Sequence, residues 1–275
     1  MATTQPGYIL GHDRDELDRL IEQARFLGDL TDEVLRRAGV GPGMRVLDVG
    51  CGTGDVSFLA ARLVGPTGAV LGVDRSAEAV AEAERRARGA GLGNVSFAVQ
   101  DLAELTLPAP VDALVGRLVL MYLQDPAAVL RRLLDHVEPG GVVAFQEMDM
   151  GAVTWTPHCP QLAAASDRIV QTFTRAGIDH RTGLKLARIY RDAGLPAPRT
   201  LQGARVESGP DSPVYAYVAQ VTRTLLPLME RTGVASAAEV QLDTLADRLR
   251  DEVVAADATV VPPPLVGAWA RTGSP

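Results

Sequence analysis

Cysteine and lysine are scarce in this chain of 275 residues. The two cysteines, Cys51 and Cys159, are too few and too differently placed to suggest a disulfide framework or a zinc site. We therefore expect free thiols and no bound metal ion. Lys185 is the single lysine, and the net charge is −7. Nucleic-acid binding requires clustered basic residues, so RNA and DNA are not expected partners.

Long apolar runs are also missing. No run approaches the roughly 20 residues that cross a bilayer, and the N-terminus lacks a basic and then apolar signal pattern. We expect a soluble cytoplasmic protein without a membrane partner, either a monomer or a homodimer. At about 100–200 residues per domain, the length allows one large domain with a lid.

The most informative stretch is a buried strand that runs directly into a glycine-rich turn. Arg45–Val49 is rich in valine and leucine, as in a strand that is covered on both faces. Gly50, Gly52 and Gly54 follow at alternate positions, and a helix resumes near Ser57. Glycines let the backbone approach a ligand that a side chain would exclude, so a bound ligand is expected here.

Two cofactor families use such a turn, and the spacing separates them. A dinucleotide fingerprint, Gly-x-Gly-x-x-Gly counted from Gly50, would place its third glycine at Asp55, where the pyrophosphate should lie. An NAD-dependent dehydrogenase is therefore disfavoured. Asp48 and the three glycines instead form Asp-x-Gly-x-Gly-x-Gly. This resembles the first motif of class I S-adenosylmethionine-dependent methyltransferases, of the small-molecule, ubiquinone-biosynthesis-like type.

Two further motifs follow in register. The strand Ala69–Val73 ends in Asp74, the position at which an acidic residue takes both ribose hydroxyls in either cofactor family. The strand Val95–Val99 leads to Asp101. The resemblance implies that this aspartate receives the adenine amino group and that the next backbone N–H meets the ring.

The loop after the fourth strand, from residue 116 to residue 126, resembles the fourth motif of the same family. Strand ends converge on the ligand in open α/β sheets, so Arg117, Met121 and Tyr122 should line the cofactor or the acceptor. A metal-dependent variant is not expected, because Gly116 and Arg117 stand where its acidic ligand would be.

Two amphipathic helices, Asp13–Leu27 and Thr31–Gly39, precede the first strand, and in the family such helices fold over the cofactor. Their polar residues are equally consistent with a packing helix. The residues predicted to bind the cofactor are Asp48, Gly50, Cys51, Gly52, Gly54, Asp74, Arg75, Asp101, Leu102 and Arg117, with Tyr8 and Gln23 from the leading segment. Those predicted to bind the acceptor are Met121, Tyr122, Trp155 and Tyr215.

Methyl transfer from a sulfonium is an in-line displacement, in which the protein mainly aligns the acceptor and excludes water. A weakly acidic acceptor would also need a base near the strand ends. Glu147, His158 and His180 are the candidates, although each is also compatible with a structural role.

The predicted fold is α/β: a Rossmann-like, seven-stranded, mostly parallel sheet with helices on both faces, an antiparallel last strand and a helical cap. The fifth strand is expected at Val142–Gln146, the sixth at Leu201–Glu207 and the seventh at Leu265–Ala270. We expect a helical lid at residues 1–40 and a core at 41–210 and 256–275. A helical insertion at 211–255 would cap the acceptor.

The sequence thus predicts an S-adenosylmethionine-dependent methyltransferase that releases S-adenosylhomocysteine. Its acceptor would be a small, largely apolar molecule, consistent with bacterial secondary metabolism, methylated on O, N or C. The alternative is a protein that senses S-adenosylmethionine or an inactive partner subunit, because binding and turnover use separate residues and such a protein could keep the binding motifs intact. The dehydrogenase remains the weaker alternative.

Overall fold

A computed structural model describes residues 14–273, apart from the side chains of residues 14–18, 22 and 25. Within this range, seven strands form one sheet in the order β3-β2-β1-β4-β5-β9-β7. Its strands are β1 (Arg45–Val49), β2 (Ala69–Asp74), β3 (Val95–Val99), β4 (Val111–Arg117), β5 (Val137–Met148), β7 (Arg199–Gly203) and β9 (Leu265–Arg271).

The strand directions confirm the predicted fold class. Strands β1 to β5 pair in parallel, whereas β9 runs antiparallel to both β5 and β7. The central strands are buried on both faces, which explains their runs of valine, leucine and alanine. The helices are α1 (Arg14–Ala38), α2 (Asp55–Val64), α3 (Ala77–Gly89), α4 (Pro126–Leu133), α5 (Pro160–Arg175), α6 (Leu186–Asp192), α7 (Val214–Arg231), α8 (Ala237–Val240) and α9 (Leu242–Ala255).

Helices cover both faces of the sheet. On one face, α1 and α2 bury Val34, Leu35 and Ala60 against β1, β2 and β4. On the other face, α4 and α6 pack on the same central strands, and the buried Tyr190 hydroxyl donates to the carbonyl of Ala268 at 2.7 Å. This hydroxyl also accepts the N–H of Phe145 at 3.0 Å, so it joins β5 to β9.

Helices α5, α7 and α9 form a further layer beyond the carboxyl end of β5. They share a hydrophobic core with the first half of α1, in which the rings of Phe26 and Tyr217 stack with centroids 4.7 Å apart. A two-stranded sheet of β6 (Thr154–Thr156) and β8 (Thr259–Val261) lies beside this layer. Because α1 contacts both layers, it closes over the sheet edge at which parallel strands end.

Several predicted boundaries were wrong. The two leading helices are one helix, because Gly28 is compatible with an α-helix and the flanking residues bury a continuous face. Strand β5 begins at Val137, where it pairs with Val111, and continues through Pro139–Gly141, which we expected to precede it. The sixth strand ends at Gly203, and Glu207 instead forms an isolated bridge to Val260.

Ser236 and Glu239 form a capping box, but it opens only the short helix α8. Gln241 then adopts a left-handed conformation, with φ of 51°, and α9 begins after it. The sheet of β6 and β8 was not predicted, because its pairing joins segments about a hundred residues apart. Across residues 14–273, no helix is both long and apolar enough to cross a membrane.

Candidate active site

A cavity of about 180 Å³ opens at the carboxyl ends of β1, β2 and β4, beneath α1. Ligands bind at this edge in open α/β sheets. The cavity is lined by Arg19, Leu20, Gln23, Gly50, Cys51, Gly52, Thr53, Asp55, Val56, Asp74, Arg75, Ala79, Gln100, Asp101, Leu102, Arg117, Leu118, Val119, Tyr122 and Leu123. Three separate sequence motifs therefore meet in one place.

The glycine turn needs its glycines for two physical reasons. Gly50, Gly52 and Gly54 have φ values of 64°, 51° and 90°, in the left-handed region that other residues rarely adopt. A Cβ atom on Gly50 would also lie only 2.5 Å from Cγ2 of Val119. The bare backbone thus forms the floor of the cavity. Gly54 itself is not in the cavity wall.

The carboxylate of Asp74 holds this turn against the end of β2. Its Oδ2 accepts the N–H of Gly52 at 2.9 Å, and its Oδ1 accepts the N–H of Ser76 at 3.0 Å. Each carboxylate oxygen can accept two hydrogen bonds, so both retain capacity toward the cavity. Asp74 can therefore receive a pair of ligand hydroxyls while it fixes the turn.

Asp48 supports the turn from below and does not reach the cavity wall. Its Oδ2 accepts the hydroxyl of Ser57 at 2.5 Å, and its Oδ1 is buried without a hydrogen bond. Burial raises the pKa of Asp48 to about 7, opposed by the Ser57 hydrogen bond and the charge of Arg117. Its position is better suited to holding β1 and α2 together than to direct contact with a ligand.

Asp55 begins α2 and is engaged by another helix. Both of its carboxylate oxygens accept from the guanidinium of Arg86, at 2.7 and 3.0 Å, and Oδ2 also accepts the hydroxyl of Thr53 at 2.8 Å. The N-terminus of α2 is therefore occupied by a carboxylate already within the protein. A phosphate at this point would meet a negative side chain, which is consistent with the argument against a dinucleotide.

Two residues of α1, Arg19 and Gln23, line the cavity together with Arg117, the last residue of β4. Arg117 donates from Nη1 to the Thr31 hydroxyl at 3.0 Å, and burial lowers the pKa of Arg117, opposed by the charges of Asp55 and Asp48. Gln23 donates from Nε2 to the Tyr217 hydroxyl at 3.4 Å. Arg19, which the sequence analysis did not select, lies buried in the same wall.

The loop after β4 is held from beneath by Glu147. Leu118 has a φ of 57°, an uncommon conformation for leucine, and the next two N–H groups, of Val119 and Leu120, donate to Glu147 Oε1 at 3.0 and 2.7 Å. Glu147 is fully buried, and burial raises its pKa to about 8. Glu147 does not line the cavity. This geometry gives it a role in supporting the loop and does not favour the predicted role of general base.

The two histidines predicted as bases also lie outside the cavity wall. His158 accepts the indole N–H of Trp155 at Nδ1, at 2.8 Å, beside the small sheet. His180 Nδ1 lies 3.3 Å from the Thr174 hydroxyl. The strand Thr154–Thr156 turns away to pair with β8, which carries Trp155 and His158 away from the sheet edge.

Some of the remaining predicted site residues line the cavity and others do not. Tyr122 lines the cavity, whereas Met121 is buried in the core shared by α5 and α7. Tyr215 donates its hydroxyl to the carbonyl of Gly209 at 2.8 Å and lies outside the wall. Tyr8 lies outside the described residues. Cys51 and Arg75 are in the wall, and burial raises the pKa of the Cys51 thiol well above its usual value.

A second cavity of about 50 Å³ lies under α7. Its lining is almost wholly apolar and consists of Met148, Met150, Val153, Leu162, Ser166, Ile169, Val170, Val214, Tyr217, Val218, Val221, Val260, Pro262 and Pro263. Tyr217 lines this cavity, and its hydroxyl accepts a hydrogen bond from Gln23, which lines the first cavity. Among the side chains that the structure describes, no cluster of three His, Cys, Asp or Glu residues is placed to hold a metal ion.

Residues that the sequence analysis missed include Arg19, Leu20, Thr53, Gln100, Leu118, Val119 and Leu123. The amphipathic pattern of α1 placed Leu20 on its apolar face but could not show that this face also covers a ligand cavity. Leu118, Val119 and Leu123 follow β4 and could have been included with their neighbour Tyr122, since the whole loop meets the strand end.

Residues 41–194, more than half of the chain, match a family described as a methyltransferase domain. Aklanonic acid methyltransferase DauC of Streptomyces sp. (strain C5) is 33% identical over 158 residues, covering 54% of this chain and 69% of the relative. Trans-aconitate 2-methyltransferase of Methylobacterium nodulans is 38% identical over 118 residues, covering 42% of this chain and 43% of the relative.

Both sequence similarities leave much of this chain unmatched, and the chain spans less than half the length of the second relative. Among solved structures, the cyclase SpnF has the same fold, with a TM-score of 0.54 at 21% identity over 90% of this chain and 81% of that chain. This likeness concerns the fold alone, because one fold can carry different reactions. The matched domain and the site motifs within it show that the chain belongs to the class I S-adenosylmethionine-dependent methyltransferases.

Proposed function

We propose that this protein transfers the methyl group of S-adenosylmethionine to a small, largely apolar acceptor in bacterial secondary metabolism. The observation that carries the proposal is the meeting of the glycine turn, Asp74 and Asp101 in the wall of one cavity. These groups come from three strand ends that are far apart in sequence. A cofactor with a ribose, a base and an amino-acid chain matches their number and their chemistry.

The residues of the wall fit such a cofactor part by part. Asp74 would receive the ribose hydroxyls, because its carboxylate is already oriented by two backbone N–H groups. Asp101 and the backbone of Leu102 would meet the adenine. The amino-acid part would lie over Gly50–Gly52, which line the cavity with bare backbone at both glycines. Asp48 would then act indirectly, by keeping the turn in place.

When bound, the cofactor would supply an electrophilic methyl carbon. The chain's own contribution would be alignment and exclusion of water, because in-line transfer requires little else from a protein. Helix α1 is suited to this role, since Arg19, Leu20 and Gln23 place it directly over the cavity. Residues 1–40 would accordingly form a lid on the core at 41–210 and 256–275.

The acceptor would bind between the cofactor cavity and helix α7, which belongs to the cap proposed at residues 211–255. The apolar lining of the second cavity supports an acceptor with a hydrocarbon or aromatic body. Two relatives support the class of acceptor, because aklanonic acid and trans-aconitate, named in their descriptions, are small molecules. The matched aklanonic acid enzyme comes from Streptomyces, which supports a role in secondary metabolism.

Binding and turnover should be tested separately. Calorimetry should show saturable binding of S-adenosylmethionine and S-adenosylhomocysteine, and a screen of small apolar acceptors with methyl-labelled cofactor should give a labelled product. Binding of the cofactor together with no transfer to any acceptor would favour a sensor or an inactive partner subunit. Absence of cofactor binding would contradict the proposal altogether.

A further inference from the structure

Among the side chains that the structure describes, the wall of the cofactor cavity holds no well-placed general base. None of these lining side chains is a histidine or a glutamate. Asp74 is engaged by two backbone N–H groups, and Asp55 is paired with Arg86. Asp101 accepts the N–H of Ala103 at 2.7 Å and is the residue proposed to meet the adenine. The Cys51 thiol is held protonated by burial, which raises its pKa. An acceptor that must lose a proton during the reaction is therefore poorly served by this wall.

The same wall contains two guanidinium groups close to one another. Arg19 is only 3% exposed, and its positive charge contributes to the lowered pKa of Arg117. No carboxylate among the described residues forms an ion pair with Arg117, which donates to the neutral hydroxyl of Thr31. Arginine keeps its charge in proteins, so a partly buried guanidinium without an ion-pair partner favours an anionic ligand.

Gln23 and Tyr217 join the wall that contains Arg117 to the second cavity. Gln23 lines the cofactor cavity together with Arg117 and donates to the Tyr217 hydroxyl at 3.4 Å, and Tyr217 lines the apolar cavity under α7. An acceptor whose apolar body occupied that cavity would thus direct its polar end past Tyr217 toward Arg117. An acid with an apolar body satisfies both environments at once.

We propose that the acceptor is a hydrophobic carboxylic acid, that Arg117 binds its carboxylate, and that the product is the methyl ester. This inference rests on the proposed methyl transfer. One carboxylate oxygen uses a lone pair to form the new O–CH3 bond, while the carbon–sulfur bond breaks and its electron pair remains on sulfur. The carboxylate and the sulfonium each become neutral, and no proton moves. A carboxylic acid is ionised at neutral pH, so no base is needed.

The cofactor has a carboxylate of its own, and one of the two guanidiniums should serve it. We assign that role to Arg19, which lies beside Leu20, whose Cδ1 approaches the Cβ position of Gly52 to 3.5 Å. Arg117 is then left for the acceptor. Ester formation removes the negative charge that Arg117 binds, so the product should leave more readily than the acid.

The test uses matched probes and protein saturated with S-adenosylhomocysteine. Naphthalene-1-carboxylic acid should bind about tenfold or more tightly than naphthalene-1-carboxamide, because only the acid forms a charge-assisted pair with a guanidinium. Arg117→Gln should abolish this preference. Arg181→Gln, which removes an arginine paired with Asp149 outside the cavity, is the control and should keep it. Equal binding of the acid and the amide to the wild-type protein would overturn the proposal.

The two arginines are distinguished with S-adenosylhomocysteine and methylthioadenosine, which lacks the amino-acid carboxylate. Arg19→Gln should weaken S-adenosylhomocysteine about tenfold and leave methylthioadenosine unchanged. Arg117→Gln should leave both affinities within about twofold. If Arg117→Gln instead weakens only S-adenosylhomocysteine, Arg117 binds the cofactor and the proposal fails.

Turnover provides an independent readout. Label transferred from methyl-labelled cofactor to a panel of hydrophobic carboxylic acids should be released by alkali as volatile methanol, as expected of an ester. An alkali-stable labelled product would overturn the ester assignment while leaving methyl transfer intact. If wild-type protein does not bind S-adenosylhomocysteine, the proposed function itself fails, which is a distinguishable result.

Discussion

The Glu147 carboxyl group accepts the backbone N–H of Leu120 at 2.7 Å and thereby fixes the loop that closes one side of the cofactor cavity. The same oxygen accepts the N–H of Val119, whose side chain packs on Gly50. One buried acidic group on β5 is thus connected through a loop to the floor of the cavity. This arrangement makes Glu147 a positioning residue, and it can be tested as one.

Replacing Glu147 should affect the loop more than the chemistry. Glu147→Leu leaves two buried N–H groups without an acceptor and should lower the free energy of unfolding by about 2–4 kcal/mol. It should also weaken S-adenosylhomocysteine, because Val119 and the left-handed Leu118 line the cavity. Glu147→Gln retains an acceptor oxygen and should recover most of both properties. Denaturant unfolding and calorimetry are the measurements.

The outcome that would contradict this role is specific. If Glu147→Gln folds and binds cofactor like the wild-type protein but loses turnover of an identified acceptor, the carboxylate is needed for the chemistry. Glu147 would then be the general base, and the loop would have to move to admit the acceptor.

Stability should fall as pH rises through neutrality. Burial raises the pKa of Glu147 from 4.5 to about 8 and that of Asp48 from 3.8 to about 7. The folded protein therefore keeps two protons that the unfolded chain releases near pH 4. Because unfolding releases these protons, the free energy of unfolding decreases as the pH rises from about 4 to about 8. The total effect is on the order of 3 kcal/mol or more.

Urea unfolding at about pH 5, 6, 7 and 8 measures this change in the free energy of unfolding. Glu147→Gln cannot ionise and should show a shallower decrease between about pH 7 and pH 8 than the wild-type protein. Asp48→Asn should flatten the curve mainly below that range. A wild-type stability that rises steadily with pH would show that neither carboxyl group is protonated in the folded protein.

Asp74→Ala should weaken cofactor binding by about 1.5–3 kcal/mol for each charge-assisted hydrogen bond that is lost. Part of this loss would be direct, through the ribose, and part would come from the glycine turn, because the Gly52 N–H loses its acceptor. Asp74→Asn keeps one acceptor oxygen, so its affinity for the cofactor should lie between that of the wild-type protein and that of Asp74→Ala. Calorimetric titration with S-adenosylhomocysteine checks the series, and an unchanged affinity would place the ribose elsewhere.

The apolar cavity under α7 can be filled without disturbing the cofactor site. Val218 lines this cavity and is only partly buried, so Val218→Phe should fill it with limited overpacking. Affinity for S-adenosylhomocysteine should stay the same, while binding or turnover of an apolar acceptor should fall about tenfold or more. Val254→Phe, at an exposed position on α9, is the matched control. Equal acceptor turnover in both variants would exclude the second cavity as the acceptor site.

Deleting the helical cap would not be a clean test of its role in acceptor binding. Leu225, Leu249 and Val253 are fully buried in the core that α7 and α9 share with α5 and α1. A Gly/Ser connection in place of residues 212–254 would expose this core, so loss of turnover would report unfolding. Single substitutions within the cavity avoid that ambiguity.

Local patterns were sufficient for the parts of the fold and site that depend on neighbouring residues. The glycine turn, Asp74 and Asp101 are each adjacent to a strand end, so topology brings them together once the parallel sheet is predicted. By contrast, the contact of Gln23 with Tyr217 joins residues 194 positions apart, and no local pattern encodes it. The burial of Arg19 depends in the same way on what α1 covers.

Glu147 shows a different limit of sequence reasoning. Successive strand residues point to opposite faces, so Glu147 shares its face with Phe145 and opposes Gln146. Whether Gln146 or Glu147 points toward α1 depends only on how β5 pairs with β4, where Gln146 lies beside Arg117. The sequence placed a carboxylate at the strand end but could not tell that it points under the loop.

Titration calorimetry with S-adenosylhomocysteine and with NAD⁺ tests the central claim most directly. The wild-type protein should bind S-adenosylhomocysteine at micromolar level with one site per chain, and Asp74→Ala should weaken it markedly. NAD⁺ should not bind, because the N-terminus of α2 carries Asp55 where a pyrophosphate would need to lie. Tighter binding of NAD⁺ than of S-adenosylhomocysteine would contradict the account.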